Sequence, residues 1–263
     1  MGKIMAIISL TTDFRGHYLG IMYGVIKTIA PAAEVVELTS EIKPFNVTAG
    51  AYALYSAYRY FPKGTIHLVV VDPTVGSPRK AIALKTKSYC FVGPDNGVLM
   101  PASAEDGILE ARELTNRLLF HKYVSSTFQG RDLFSPVAAY LANGGEFEEV
   151  GRKIEAYETL EFFKEVDAGG GAAACEVLFV DRFGNLILSI KEKDIKLGNK
   201  SLVRVCGKAY TADRVNTYYK GKKGLLLLVG SDGFYELAVN SGSASELTGA
   251  GVGERLTITC FDE

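Results

Sequence analysis

Apolar residues recur along this chain with two different periods, and the change from one to the other divides it. Ile4 to Leu10, Glu34 to Leu38 and His67 to Val71 are short runs rich in Ile, Val and Leu that read as strands, the last of them buried on both faces. Gly20 to Ile29, Asn46 to Tyr60 and Leu133 to Ala142 carry apolar residues at helical intervals. They stop before Pro31, before Phe61-Pro62 and at Asn143-Gly144-Gly145 respectively. Ile4 to Leu38 is thus a βαβ unit. Ala81 to Lys85 and Tyr89 to Val92 read as a hairpin or adjacent strands, and Glu110 to Leu114 is a candidate further strand.

Periodicity is lost in Asp167-Ala168-Gly169-Gly170-Gly171-Ala172. Beyond it, Glu176 to Val180, Leu186 to Ile190, Ser201 to Val205, Gly224 to Val229, Phe234 to Val239 and Arg255 to Phe261 are short strand-like runs separated by turns. The expected organisation is an α/β domain over 1–165, a glycine-rich linker over 166–174, and a small antiparallel barrel or sandwich over 175–263.

Several strands end in polar corners, and in open α/β sheets ligands bind at the carboxyl ends of strands. Ile4 to Leu10 leads into Thr11-Thr12-Asp13-Phe14, and His67 to Val71 leads into Asp72-Pro73-Thr74-Val75-Gly76, with Arg79 seven residues beyond Asp72. Asp72 and Arg79 have two readings, a turn carboxylate paired with a nearby arginine or part of a site. Phe45, just ahead of the second helix, reads equally as a hydrophobic staple or as a ring stacked on a ligand. Asp181 and Asn185, in D-R-F-G-N, read equally as a plain turn between two strands or as ligand contacts.

Composition narrows the function classes. With 29 Lys and Arg against 30 Asp and Glu, scattered along 263 residues, nothing forms a basic footprint for nucleic acid or membrane. The 48% hydrophobic content suits a soluble protein with a real core. Cys90, Cys175, Cys206 and Cys260 are far apart without a C-x-x-C pair, as expected of free thiols in a reducing cytoplasm and not of a zinc site. The apolar run at the start ends at Thr11, too short for an export signal or a membrane span. A cytoplasmic location is expected.

Six motifs occur in order: TTDF, HLVVVDPTVGSPR, FVGPDNGVL, TFQGRDLFSPVAAYLA, VDRFGNLILSI and GSDGFYELAVNSGSAS. Together they resemble the S-adenosyl-L-methionine (SAM) hydroxide adenosyltransferases, the hydrolase relatives of the SAM-dependent fluorinating and chlorinating enzymes, from Ile4 to Phe261. The resemblance implies a three-layer α/β domain with a mostly parallel sheet, joined to a carboxy-terminal β-barrel. It implies a homotrimer with sites between subunits, and attack of water or hydroxide at the ribose C5′ of SAM to give adenosine and methionine. SAM is then the substrate, and no cofactor or metal is expected.

Carried over by position, Asp13 matches the acid that holds the ribose hydroxyls, and Phe45 the aromatic against the ligand. Asp181, Asn185 and Ser231 match the barrel positions that hold the methionine amino and carboxylate groups or the adenine edge. Ser241 aligns near an adenine contact, and Thr74 and Phe128 fall within the substrate-binding motifs. For the water-using members the resemblance implies an Asp, Arg and His trio; Asp72 and Arg79 match two, and Gln129 stands where TFHGRD has its histidine.

Glutamine cannot take a proton near neutral pH. This leaves two alternatives to a SAM hydrolase: a binding protein with weak or lost turnover, or a halogenase. Asp72 argues against the halogenase, because the halogenating members lack an acid there. Thr74 in place of a glycine, the altered loop Arg15-Gly16-His17, and Asp232 in place of an arginine of the halogenating members are further departures around the ligand. Of the three histidines, His17 is the candidate to replace the missing base, His67 reads as structural, and His121 has no motif around it.

Overall fold

The computed structural model describes residues 5–167, 169, 171–217 and 223–261, and the chain forms two compact units, Met1–Glu161 and Phe162–Glu263. In the first, β1 (Ile7–Thr12), α1 (His17–Ile29), β2 (Glu34–Thr39), α2 (Val47–Ala57), β3 (Ile66–Val70), β4 (Ala81–Thr86), β5 (Cys90–Pro94), α3 (Met100–Asp106), β6 (Ile108–Leu114), α4 (Ser135–Ala142) and β7 (Gly151–Ile154) follow in order. The sheet runs β2-β1-β3-β5-β4-β6-β7. Its first four strands pair in parallel and β4, β6 and β7 continue antiparallel, so most strands point one way.

Alternation places Ile8, Leu10, Leu68 and Val70 on one face of the sheet, where they pack with Leu19, Met22 and Ile26 of α1 and Val137 and Ala138 of α4 in one buried cluster. On the other face Gly50 of α2 lies against Val71 and Val98, where a β-carbon would come within 2.9 Å of a Val71 methyl group. Helices on both faces of the sheet make three layers, as expected.

His67 is a core residue, as its place in an apolar strand implies. Its Nδ1 lies 2.6 Å from Ser9 Oγ, its ring stacks on Phe91 at 5.0 Å, and Nε2 has no hydrogen-bond partner among the described residues. Burial pushes the imidazole down to about 3, a shift that nearby Asp106 only partly opposes. The unfolded chain takes up this proton near pH 6.5 and the folded chain does not, so the contribution to stability is whole above pH 6.5. It is lost on acidification at about 1.4 kcal/mol per pH unit until the folded value is reached. The thermal midpoint should therefore fall between pH 6.5 and 5, above the range in which ordinary carboxylates protonate, and fall less in His67→Gln. An equal slope in both proteins would remove His67 as the cause.

The second unit consists of β8 (Lys164–Val166), β9 (Ala172–Val180), β10 (Leu186–Lys191), β11 (Lys200–Val205), β12 (Lys208–Arg214), β13 (Leu225–Val229), β14 (Phe234–Val239), the short helix α5 (Ala244–Thr248) and β15 (Arg255–Cys260). The order β10-β14-β13-β12-β11-β15-β9 closes into a barrel because β9 also pairs with β10. One edge of β9 carries β8 along its first half and β10 along its second. All pairings are antiparallel except β12 with β13.

The segment 166–174 expected as a linker lies inside this unit, between paired strands: Lys164 is opposite Cys175, and Asp167 N donates to Ala172 O. The division falls earlier, between Glu161 and Phe162. Lost periodicity here marks the connection between two strands; Ala168 and Gly170 lie outside the described residues. Among the described residues no helix is long and apolar enough to cross a membrane.

Candidate active site

Parallel pairing of β1 with β3, Thr12 opposite Val70, brings the two polar corners side by side. Asp13 leaves the end of β1, and its Oδ2 accepts the Phe45 N–H at 2.7 Å. That bond anchors Phe45 at a φ of 69°, a left-handed backbone that a bulky side chain seldom adopts, with the residue 68% exposed. Such exposure does not fit the reading of Phe45 as a buried staple; the residue lines the cleft. Burial raises the Asp13 carboxyl above its ordinary value, the Phe45 N–H opposes the shift, and Asp72 adds to it.

Asp72 follows β3 and is held bidentately. Arg79 Nε donates to both of its oxygens at 3.1 Å and Nη2 donates to Oδ2, while Thr74 N and Oγ1 both donate to Oδ1 at 3.3 Å. The side chains of Arg79 and Asp72 are only 8% and 5% exposed. The other guanidinium nitrogen, Nη1, donates to Lys80 O at 3.0 Å, and the guanidinium carbon lies 5.4 Å from the centre of the Phe134 ring. Arg79 Nη2 also donates to Gln129 Oε1. Asp72, Arg79 and Gln129 are thus one bonded group although 50 residues separate the last two.

Gln129 and Phe128 are positioned by a π-helical turn, Gly130–Phe134, in which Ser135 N reaches back to Gly130 O before α4 begins. Asp132 in that turn is fully buried and accepts from Arg131 at 2.6 and 2.9 Å and from Ser125 N at 2.8 Å, which together hold its carboxyl below its ordinary value against the cost of burial. Phe128 packs edge-on against Phe14 at 6.0 Å and Tyr18 at 5.2 Å. Gly76, at a φ of 82°, lets the DPTVG turn pass under this segment, since a β-carbon there would meet Ser126 O at 2.6 Å.

Asp13, Phe14, Phe45, Asp72, Phe128 and Gln129 line one cleft of about 180 Å³, with Val70, Val75, Thr127 and Gly130 completing it. No histidine is among them. His17 stacks on Tyr18 at 4.1 Å, and His121 lies 3.7 Å from Asp132. The turn at the end of β5, Pro94-Asp95-Asn96, is structural: Asn96 Nδ2 donates to Val71 O at 2.9 Å, fixing the end of β3, and Asp95 accepts from Glu158 N at 2.8 Å.

In the barrel a second cleft of about 560 Å³ is lined by Asp181, Phe183, Asn185, Glu236, Val239, Asn240, Ser241 and Gly242. Asp181 Oδ1 accepts from Phe183 N and Asn185 N at 2.8 and 2.9 Å, and Oδ2 accepts from Asn185 Nδ2 at 2.9 Å. The bonds that build the turn also present the two side chains to the cleft. Ser231 does not join them. It stands in the turn before β14, and Ser241 follows that strand's other end.

Phe183, Glu236 and Asn240 are additional candidates. Phe183, 72% exposed inside a polar turn, had a readable signal, whereas Glu236 is a single polar position in an apolar strand and had none. Among the described residues no group of three or more His, Cys, Asp or Glu is arranged to hold a metal ion.

Residues 8–151 match the SAM hydroxide adenosyltransferase N-terminal domain and residues 175–257 match the C-terminal domain of the same family. A (R)-S-adenosyl-L-methionine hydrolase of Salinispora tropica is 39% identical over 96% of this chain and 97% of its own length. A protein of that name from Methanocaldococcus jannaschii is 34% identical over 93% of this chain and 92% of its own. The crystal structure of a conserved protein from Thermotoga maritima superposes with a TM-score of 0.88 at 40% identity, covering 97% of this chain and 100% of that one. Two polar strand ends joined in one cleft, and two matched domains that together span nearly the whole sequence, make this chain a member of the SAM hydroxide adenosyltransferase family.

Proposed function

We propose that this protein hydrolyses S-adenosyl-L-methionine to adenosine and L-methionine by attack of water or hydroxide at the ribose C5′. The observation that carries the reading is the bonded group Asp72, Arg79 and Gln129 in the cleft that also holds Asp13. The sulfonium leaves as a neutral thioether and needs no general acid, so the demands on the protein are to align the nucleophile with the C5′–S bond and to exclude competing water.

Asp13 accepts the two ribose hydroxyls in this reading, with lone pairs beyond the one taken by Phe45 N–H. Phe45 and Phe128 offer aromatic faces to the nucleoside, and Thr74 orients Asp72. Asp181, Asn185, Ser231 and Ser241 are assigned to the methionine amino and carboxylate groups or the adenine edge. A cytoplasmic homotrimer that uses no cofactor, with SAM as its small-molecule partner, completes the proposal.

The test is to incubate the purified protein with SAM, with and without chloride, and to follow the products by chromatography. Adenosine and methionine in equal amounts are expected in both. A 5′-chlorinated nucleoside, or no turnover, would overturn the reading. Asp13→Ala should weaken adenosine binding by about 1–3 kcal/mol, because the ribose hydroxyls lose their acceptor. Binding should also weaken on acidification, beginning above the ordinary carboxylate range since the Asp13 carboxyl is raised. Unchanged affinity of Asp13→Ala by calorimetry would remove Asp13 from the ribose.

A further inference from the structure

The place of glutamine at position 129 has a specific chemistry, which rests on the reading above that the nucleophile sits beside Asp72, Arg79 and Gln129. A guanidinium can only donate hydrogen bonds, so the amide atom it meets is Oε1. Nε2 and its two hydrogens are then the end of the amide left to the cleft that Gln129 lines. Among the described residues Nε2 has no hydrogen-bond partner, and it is not among the atoms sealed from solvent without one.

Asp72, for its part, is fully engaged. Its oxygens take the contacts from Arg79 Nε (to both), Arg79 Nη2, Thr74 N and Thr74 Oγ1, and a carboxylate has only about four lone-pair sites. It holds Arg79 in place and has no lone pair left for a water proton. The cleft holds no histidine, and its other carboxylate, Asp13, is committed to the ribose hydroxyls in the reading above, so no lining residue is left to take a proton from the nucleophile.

We propose that Gln129 is a catalytic hydrogen-bond donor whose Nε2–H binds the oxygen of the nucleophile, and that the nucleophile is hydroxide taken up as an anion and not a water deprotonated by the protein. A lone pair of hydroxide forms the O–C5′ bond while the C5′–S bond breaks and its electron pair goes to sulfur. One negative and one positive charge cancel, giving adenosine and neutral thioether, and no proton remains to be placed. The gain is in occupancy and aim of the anion. A neutral imidazole at 129 that accepted from Arg79 through one ring nitrogen would also turn an N–H toward the cleft, so glutamine and histidine present the same donor.

Gln129→Glu tests this directly, because it keeps the size and the acceptor for Arg79 but replaces the cleft-facing donor with an acceptor. In wild type the rate of adenosine formation should rise about tenfold per pH unit between pH 7 and 9. Gln129→Glu should lower it by about 10²–10³ at every pH, and Gln129→His should keep the wild-type pH slope. Calorimetry with azide, a small anion, on protein loaded with 5′-deoxyadenosine, which lacks the oxygen that the nucleophile becomes, should show binding to wild type and Gln129→His that is at least about tenfold weaker in Gln129→Glu.

A faster Gln129→Glu, a plateau near neutral pH in wild type, or loss of azide binding in Gln129→His would overturn the donor role. Absence of any SAM hydrolysis would instead defeat the hydrolase reading, and the azide comparison would still decide the donor. Equal azide affinity in wild type and Gln129→Glu would sink it.

Discussion

Arg79→Met should abolish turnover and remove about 3–5 kcal/mol of stability from the α/β unit, the cost of leaving a buried carboxylate without its cation. Asp72 is 5% exposed at its side chain, and Arg79 supplies the bonds to both of its oxygens and the one that fixes Gln129 Oε1. Methionine fills much the same space, so the loss reports charge and hydrogen bonding and not a cavity. Combining Arg79→Met with Asp72→Asn removes the stranded charge and should recover most of the stability but none of the activity. Urea titration of the two variants checks the first statement and chromatographic assay the second. A loss below about 1 kcal/mol in the single variant would mean that the pair contributes little beyond its own desolvation.

Gly184→Ala should cost about 2–5 kcal/mol, adding the penalty of a left-handed non-glycine residue to that of an overfilled site. At Gly184 φ is 79°, and a β-carbon would stand 2.0 Å from Ser243 Oγ and 3.1 Å from Ser243 Cα. Ser243 cannot swing aside freely, because its hydroxyl caps α5 by accepting from Glu246 N at 3.0 Å and Ser245 N donates to Gly184 O at 2.9 Å. Displacing the turn moves Asp181 and Asn185 together, so affinity for SAM should fall as well. Thermal unfolding and calorimetry measure the two effects. A midpoint unchanged within error would show that the turn yields at no cost.

Much of the site could be read from residue order. The runs before Asp13 and Asp72 are apolar enough to be strands, and their polar ends are where an open sheet binds ligands. What residue order could not supply was the orientation of single groups: the Gln129 amide is turned by a guanidinium 50 positions away. Without that contact, glutamine reads only as a residue that takes no proton. β12 was missed because it is mostly polar, with Ala212 as its buried residue. α3 was missed because a seven-residue helix beginning Met-Pro is too short for a period. The supposed linker failed for the opposite reason: Ala172 to Cys175 have small side chains that weaken the strand signal, although Ala173 and Cys175 pack in the barrel core. Ser231 and Ser241, grouped by motif, are held apart by the length of β14.

The π-helical turn at Gly130–Phe134 sets how this site can change over generations. Such a turn holds one residue more than the α-turn it replaces. Deleting a single residue there would let α4 extend as a regular helix and swing everything before it by about 100°, carrying Gln129 away from Arg79. Position 129 can therefore exchange one side chain for another with the same donor, while the chain beside it cannot gain or lose a residue. At this turn the geometry of the site depends on the number of residues and not on the identity of any one side chain.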